Sequence, residues 1–183
     1  MLRRKFGKGP SISLFTLGTM RAIESPIQMY DVVKNAINIG INHIDTAPSY
    51  GPSQELLGYT LNKLSKENIK PKGNWVITSK ILPGTSFKKG RDQIIKTIEQ
   101  LRINKINNLA IHGINKAEHI DWFINGDGAK IIQWAEEKNL ISQLGFSSHG
   151  STSIIEKTIK IGRFNFCYLH LHLLDQERIP IAE

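Results

Sequence analysis

Cysteine is nearly missing: one residue, Cys167, in 183. A lone thiol excludes an internal disulfide framework and any Cys-built zinc or iron–sulfur site, and it makes a reducing, cytoplasmic setting the expectation. Long apolar runs are missing as well. No window supplies the roughly 18 consecutive apolar residues that a membrane span needs, and the start, Met1-Leu2-Arg3-Arg4-Lys5-Phe6-Gly7, is basic without the apolar stretch of a secretory signal. Two glycine signatures are absent. The first strand–helix turn reads Leu17-Gly18-Thr19-Met20-Arg21 rather than a Gly-x-Gly-x-x-Gly loop, and no Gly-x-x-x-x-Gly-Lys-Ser/Thr stretch occurs. A dinucleotide-binding open sheet of that type and a P-loop are thereby excluded. The net charge is +8, which can steer anions. The basic residues are nevertheless scattered, as at Lys88 and Lys89 or Lys157 and Lys160, with no aromatic interleaving. We therefore expect no nucleic-acid partner and no membrane partner.

What is present is alternation. β-branched runs at 15–19, 41–46, 75–79, 108–112, 140–146 and 164–171 read as six strands, separated by stretches of helical length. Ser25-Pro26-Ile27-Gln28 reads as a capped helix start, with Ile27, Tyr30, Val33 and Ile37 as its inward stripe and Gly40 as its stop. Ser53, Asp127 and Ser151 open later helices, the second of these carrying Trp134, with Trp122 expected to pack against it. Alternating β and α elements imply a parallel sheet covered by helices. With the open nucleotide-binding sheet set aside, the fold class is an α/β barrel of the TIM type. Such barrels take about 250 residues and eight strands. Residues 1–183 therefore read as one domain, a barrel truncated to about six βα units, with a further helix expected to begin after Leu173.

Barrel enzymes carry their chemistry at the C-terminal ends of the strands. Asp45 ends the second strand, with Tyr50 in the loop beyond it. Lys80 ends the third, His112 the fourth, and Ser147-Ser148 the fifth. An acid, a phenol, an amine and an imidazole thus converge on one rim. The set suits proton donation to a carbonyl. A free phenol, with a pKa near 10, holds its proton too tightly for acid catalysis, and a neighbouring ammonium favours the phenolate. Lys80 can serve Tyr50 in this way, Asp45 can hold Lys80, and His112 can orient the carbonyl oxygen. An alternative use of Lys80 is as a Schiff-base amine, which does not require Tyr50. The remaining histidines suggest less. His43 reads as barrel filling, and His170-x-His172 as packing or mouth lining, with no metal site expected. His149 reads as bordering the site or as a loop residue. Cys167 is expected to face the helices.

At these residues the sequence resembles the aldo-keto reductases. The stretch Gly40-Ile41-Asn42-His43-Ile44-Asp45-Thr46-Ala47-Pro48-Ser49-Tyr50-Gly51 is similar to that family's second-strand motif, and Val76-Ile77-Thr78-Ser79-Lys80 to its lysine-bearing third strand. Leu109-Ala110-Ile111-His112 and Leu144-Gly145-Phe146-Ser147 resemble its fourth and fifth. The resemblance implies a catalytic tetrad of Asp45, Tyr50, Lys80 and His112, with Tyr50 as general acid. It further implies cofactor contacts from Gly18, Thr19, Asp45, Ser147 and Ser148. NADP(H) is the implied cofactor and a small-molecule aldehyde or ketone the implied substrate. Tyr168 stands where the family often has an amide side chain. The family's seventh and eighth strands are not found, so an inactive remnant or binding subunit is the alternative reading, and self-association through open sheet edges is expected.

Overall fold

The computed structural model describes residues 1–172 and 179–182. A short antiparallel hairpin, β1 (Arg3–Lys5) and β2 (Ser11–Ser13), precedes the alternating part. The chain then runs β3 (Leu17–Gly18), α1 (Pro26–Asn38), β4 (His43–Asp45), α2 (Ser53–Lys66), β5 (Val76–Ile81), α3 (Phe87–Leu101) and β6 (Ile106–Ile111). It continues with α4 (Ala117–Ile124), α5 (Asp127–Glu137), β7 (Ile141–Ser148), α6 (Thr152–Lys160), β8 (Phe166–Leu169) and the single turn α7 (Ile179–Ala182). Strands β3 to β8 form one parallel sheet in sequence order. This is the order that right-handed βαβ crossovers give when each unit is laid beside the last. The helix expected to begin after Leu173 would start at 173–178, outside the described residues.

The sheet curls as a TIM-barrel sheet does. The hydroxyl of Tyr168 on β8 meets Thr78 Oγ1 on β5 at 3.0 Å, across the concave face. Polar side chains fill that face. His43 is fully buried, with Nδ1 2.8 Å from Thr16 Oγ1 and Nε2 2.8 Å from Thr78 Oγ1, as barrel filling requires. Asn108 donates to Thr78 at 3.0 Å, and Gln143 donates to Asn108 at 2.6 Å. The hairpin, for which the local pattern showed no signal, plugs this interior from below. Gln143 donates to Phe6 O at 3.2 Å and accepts from Lys8 N at 3.0 Å. The Phe6 ring lies 5.3 Å from His43 and 4.8 Å from Phe166.

The convex face carries the apolar core. Ile81, Leu109, Ile111, Leu144 and Phe146 of the strands pack against Ile94, Ile131, Ile132 and Ala135 of the helices. Cys167 lies on this side, as expected. The α1 start is as read: Gln28 N donates to Ser25 Oγ at 3.1 Å, with Pro26 at the first helical position. Its inward face holds in part: Val33 is buried and Tyr30 and Ile37 pack against the same core, but the face centres on Met29, Val33 and Ala36, and Ile27 is 73% exposed. The docking angle of the helix sets where along the 3.6-residue period that centre falls. The α5 start also differs. Gly126 is the cap, and Asp127 instead accepts from Phe87 N at 3.0 Å, closing the N-terminus of α3. Trp122 sits on α4, which the alternation did not predict, and its indole donates to Thr85 O at 2.9 Å. Among the described residues no helix is long and apolar enough to cross a membrane.

Candidate active site

The rim residues are placed by the sheet register. Gly18 pairs with Asp45, Asp45 with Thr78, and Lys80 with Ala110. Lys80 is the last residue but one of β5, all six of whose residues are buried. His112 follows β6 directly, its N–H bonded to Ile81 O at 2.8 Å. Tyr50 sits in a tight turn, with its N–H on Ala47 O at 3.0 Å. Gly51 then takes a left-handed conformation (φ 59°) that carries the chain towards α2.

These elements bring one cluster together. Lys80, 5% exposed, donates to Asp45 Oδ1 in an ion pair, to Thr46 O at 3.0 Å and to Tyr50 Oη at 3.1 Å. All three ammonium protons therefore have acceptors. The Tyr50 ring meets the His112 ring edge-on, centroids 6.0 Å apart. A cavity of about 400 Å³ opens above them, lined by Gly18, Asp45, Tyr50, Lys80, His112 and Ser147, with Thr16, His149 and Tyr168. Burial raises the Asp45 pKa, against the opposing pull of Lys80. Burial lowers that of His112, with Lys80 and His149 adding to the effect, which favours a neutral imidazole. Burial also holds the Tyr168 phenol well above the ordinary range, and that hydroxyl is engaged with Thr78 at 3.0 Å.

Six of the eight residues singled out by sequence thus line one cavity. Thr19 and Ser148 lie behind its wall. Thr19 Oγ1 donates to Asp45 O at 3.1 Å and accepts from Ser53 Oγ at 2.7 Å. Ser148 Oγ donates to Ile114 O at 2.6 Å and accepts from Gly150 N at 3.0 Å. Their hydroxyls are engaged with protein partners, and they shape the site from outside. Sequence reasoning passed over Thr16, whose exposure on the rim follows from alternation with Gly18. A groove of about 480 Å³ on the helical layer, bordered by Phe123, Ile132 and Ile161, lacks this chemistry. Its charged residues, Glu136 and Arg163, pair with each other at 3.0 Å.

The chain can be placed among known proteins on this fold and rim. The model of the Aldo/keto reductase family matches residues 15–180, and the chain belongs to that family. It is 27% identical over 129 residues to D-arabinose 1-dehydrogenase of Saccharomyces cerevisiae, a stretch covering 67% of this chain and 37% of that protein. The chain thus spans little over a third of that curated relative. Among solved structures it resembles an aldo-keto reductase of Pseudomonas aeruginosa, with a TM-score of 0.79 and 26% identity over 98% of this chain and 71% of that one. A Bombyx mori aldo-keto reductase in complex with NADP shares the fold, with a TM-score of 0.72 and 19% identity over 93% of this chain and 58% of that one.

Proposed function

We propose that the protein reduces an aldehyde or ketone to the alcohol, using NADPH as the hydride source and Tyr50 as the general acid. The observation that carries the reading is the contact of the buried Lys80 ammonium with Tyr50 Oη at 3.1 Å, in the cavity that also holds His112. The residues present fit a nicotinamide nucleotide. Asp45 Oδ2 is buried with no hydrogen-bond partner among the described residues, an acceptor suited to a ribose hydroxyl. Gly18 has open space where a Cβ would stand, and Ser147 lines the wall with its Oγ accepting from Gly113 N at 3.0 Å, which leaves the hydroxyl proton to donate. Asp45, Gly18 and Ser147 would hold the group, with Thr19 and Ser148 fixing the backbone behind them.

When bound, the nicotinamide supplies a hydride to the carbonyl carbon. The chain's own residues do the rest. Neutral His112 donates an N–H to the carbonyl oxygen and sets its direction. Tyr50 delivers its proton to that oxygen as the C–O double bond becomes single. Lys80 stabilises the phenolate left behind, and Asp45 keeps the ammonium in place. The phenol regains its proton from water through the open cavity. Proton transfer from a positioned acid contributes about 10²–10⁴-fold to rate. The cytoplasm is the setting this cofactor use implies, and copies of the chain pair through the sheet edges at β3 and β8.

The test follows NADPH fluorescence during titration, then its oxidation with an aromatic aldehyde. Saturable binding is expected, with turnover that falls by at least about 10²-fold in Tyr50→Phe while binding persists. Folded protein that does not bind NADPH would overturn the reading in favour of a non-catalytic relative. Full activity in Tyr50→Phe, with borohydride trapping of a Lys80 adduct, would replace it with Schiff-base chemistry.

A further inference from the structure

The buried polar chain on the concave face has a direction, and backbone groups set it. At its lower end Gln143 meets two of them in the β1–β2 hairpin, Lys8 N at 3.0 Å and Phe6 O at 3.2 Å. A peptide N–H only donates and a carbonyl only accepts, so Gln143 turns Oε1 to Lys8 and Nε2 to Phe6. The second Nε2 proton goes to Asn108 Oδ1 at 2.6 Å. That fixes the Asn108 amide in turn, and its nitrogen donates to Thr78 Oγ1 at 3.0 Å.

Thr78 Oγ1 has three partners and one proton. Besides Asn108 it meets the Tyr168 hydroxyl at 3.0 Å and His43 Nε2 at 2.8 Å. A phenol is more acidic than an aliphatic hydroxyl and is the better donor, so Tyr168 donates to Thr78. With both lone pairs of Thr78 taken, its own proton goes to His43 Nε2. The Asn108 amide nitrogen also stands 3.5 Å from Nε2, a second donor that suits a bare ring nitrogen. A neutral imidazole with Nε2 bare carries its proton on Nδ1. Nδ1 lies 2.8 Å from Thr16 Oγ1 and donates to it. Thr16 is exposed, lines the cavity, and its hydroxyl has no other partner among the described residues. The end of the chain is therefore a hydroxyl proton facing the cavity.

We propose that Thr16 donates a hydrogen bond to the ligand in the cavity, and that His43 is the positioning residue that turns the Thr16 proton outward. The opposite tautomer would draw that proton onto Nδ1 and leave this wall with acceptors alone. The group received is an acceptor oxygen, carbonyl or amide, on the nucleotide or on the carbonyl substrate. The identity of the ligand rests on the reductase reading; the direction of the donor does not.

The experiment reads the ring nitrogens of the full chain, isotope-labelled at histidine, by NMR at pH 7.5, well above the value of about 4 at which His43 takes up a proton. The His43 signals, identified by their loss in His43→Asn, are expected to show Nδ1 protonated and Nε2 bare, the reverse of free histidine in water. A proton on Nε2 would overturn the proposal. NADPH binding by fluorescence and the KM for an aromatic aldehyde are then compared in Thr16→Val and Thr16→Ser. Valine keeps the shape and removes the proton. It should cost about three- to tenfold, the worth of one hydrogen bond between neutral groups, and serine should restore most of that. Weaker NADPH binding places the acceptor oxygen on the nucleotide; a higher KM with NADPH binding unchanged places it on the substrate. Valine that alters neither, or serine that fails to restore, would overturn the donor role. Folded protein that binds no NADPH would remove the reductase reading, and the tautomer then decides alone: a proton on Nδ1 upholds the outward donor and one on Nε2 overturns it.

Discussion

His43 should make the fold sensitive to acid, and the size of the effect follows from its environment. The ring is fully buried between Thr16 and Thr78. Burial, reinforced by the Lys80 charge, lowers its pKa from 6.5 to about 4. In the unfolded chain the imidazole takes up a proton as pH falls through about 6.5. In the folded chain it does not do so until about pH 4. Between those values the unfolded state binds the extra proton, so stability falls with pH and recovers as pH rises. The gap is about two and a half units at 1.36 kcal/mol each, so roughly 3 kcal/mol is lost by pH 4, and about 2 kcal/mol by pH 5. Urea unfolding followed by tryptophan fluorescence at pH 7.5, 6 and 5 measures this. The comparison is His43→Asn, which starts less stable but lacks the titrating ring. Its stability should change less steeply over this range, by up to about 1.4 kcal/mol per pH unit. Equal slopes in the two proteins, or a His43 ring signal titrating near 6.5, would refute the reasoning.

Other outcomes follow from the same structure. Lys80→Met leaves the partly buried Asp45 without its cation and should destabilise the fold, by less than the roughly 3–5 kcal/mol of a fully buried broken pair; unchanged thermal stability would show that the pair contributes nothing to the fold. Adding Asp45→Asn to it should restore part of that loss, since the remaining charge is removed. Gly58→Ala should cost about 1–3 kcal/mol despite alanine's better helix propensity. Its Cβ would stand 1.9 Å from Gln100 O, where α2 crosses the end of α3, and backbone cannot step aside as a flexible side chain can. Denaturant midpoints decide the sign. Copies pairing through the β3 and β8 edges should run above the 20.6 kDa of one chain in concentration-dependent light scattering; a constant 20.6 kDa at all concentrations would refute edge pairing.

Local pattern determined much of this protein. The strand–helix alternation, the capped start at Ser25, and the arrival of Asp45, Lys80 and His112 at successive strand ends were legible because each depends on short-range periodicity. The aldo-keto reductase resemblance rested on the same stretches, and the family match over 15–180 agrees with it. Only the tertiary structure decided the rest. The hairpin plug at residues 3–13 is held by Gln143 and Phe166, more than a hundred residues away, and no local signal encodes such a contact. Gly18 and Thr19, like Ser147 and Ser148, are neighbours that a strand turns to opposite faces. Which partner reaches the cavity depends on the direction of sheet curl. The docking angle of α1 likewise decides the edge of its inward face, which takes in Met29 and leaves Ile27 outside while Tyr30, Val33 and Ile37 pack as their spacing suggests. Sequence brought the acid, the amine and the phenol to one rim. The closing of the curled sheet set the 3.1 Å contact between Lys80 and Tyr50, because that distance depends on how β4 and β5 twist past one another.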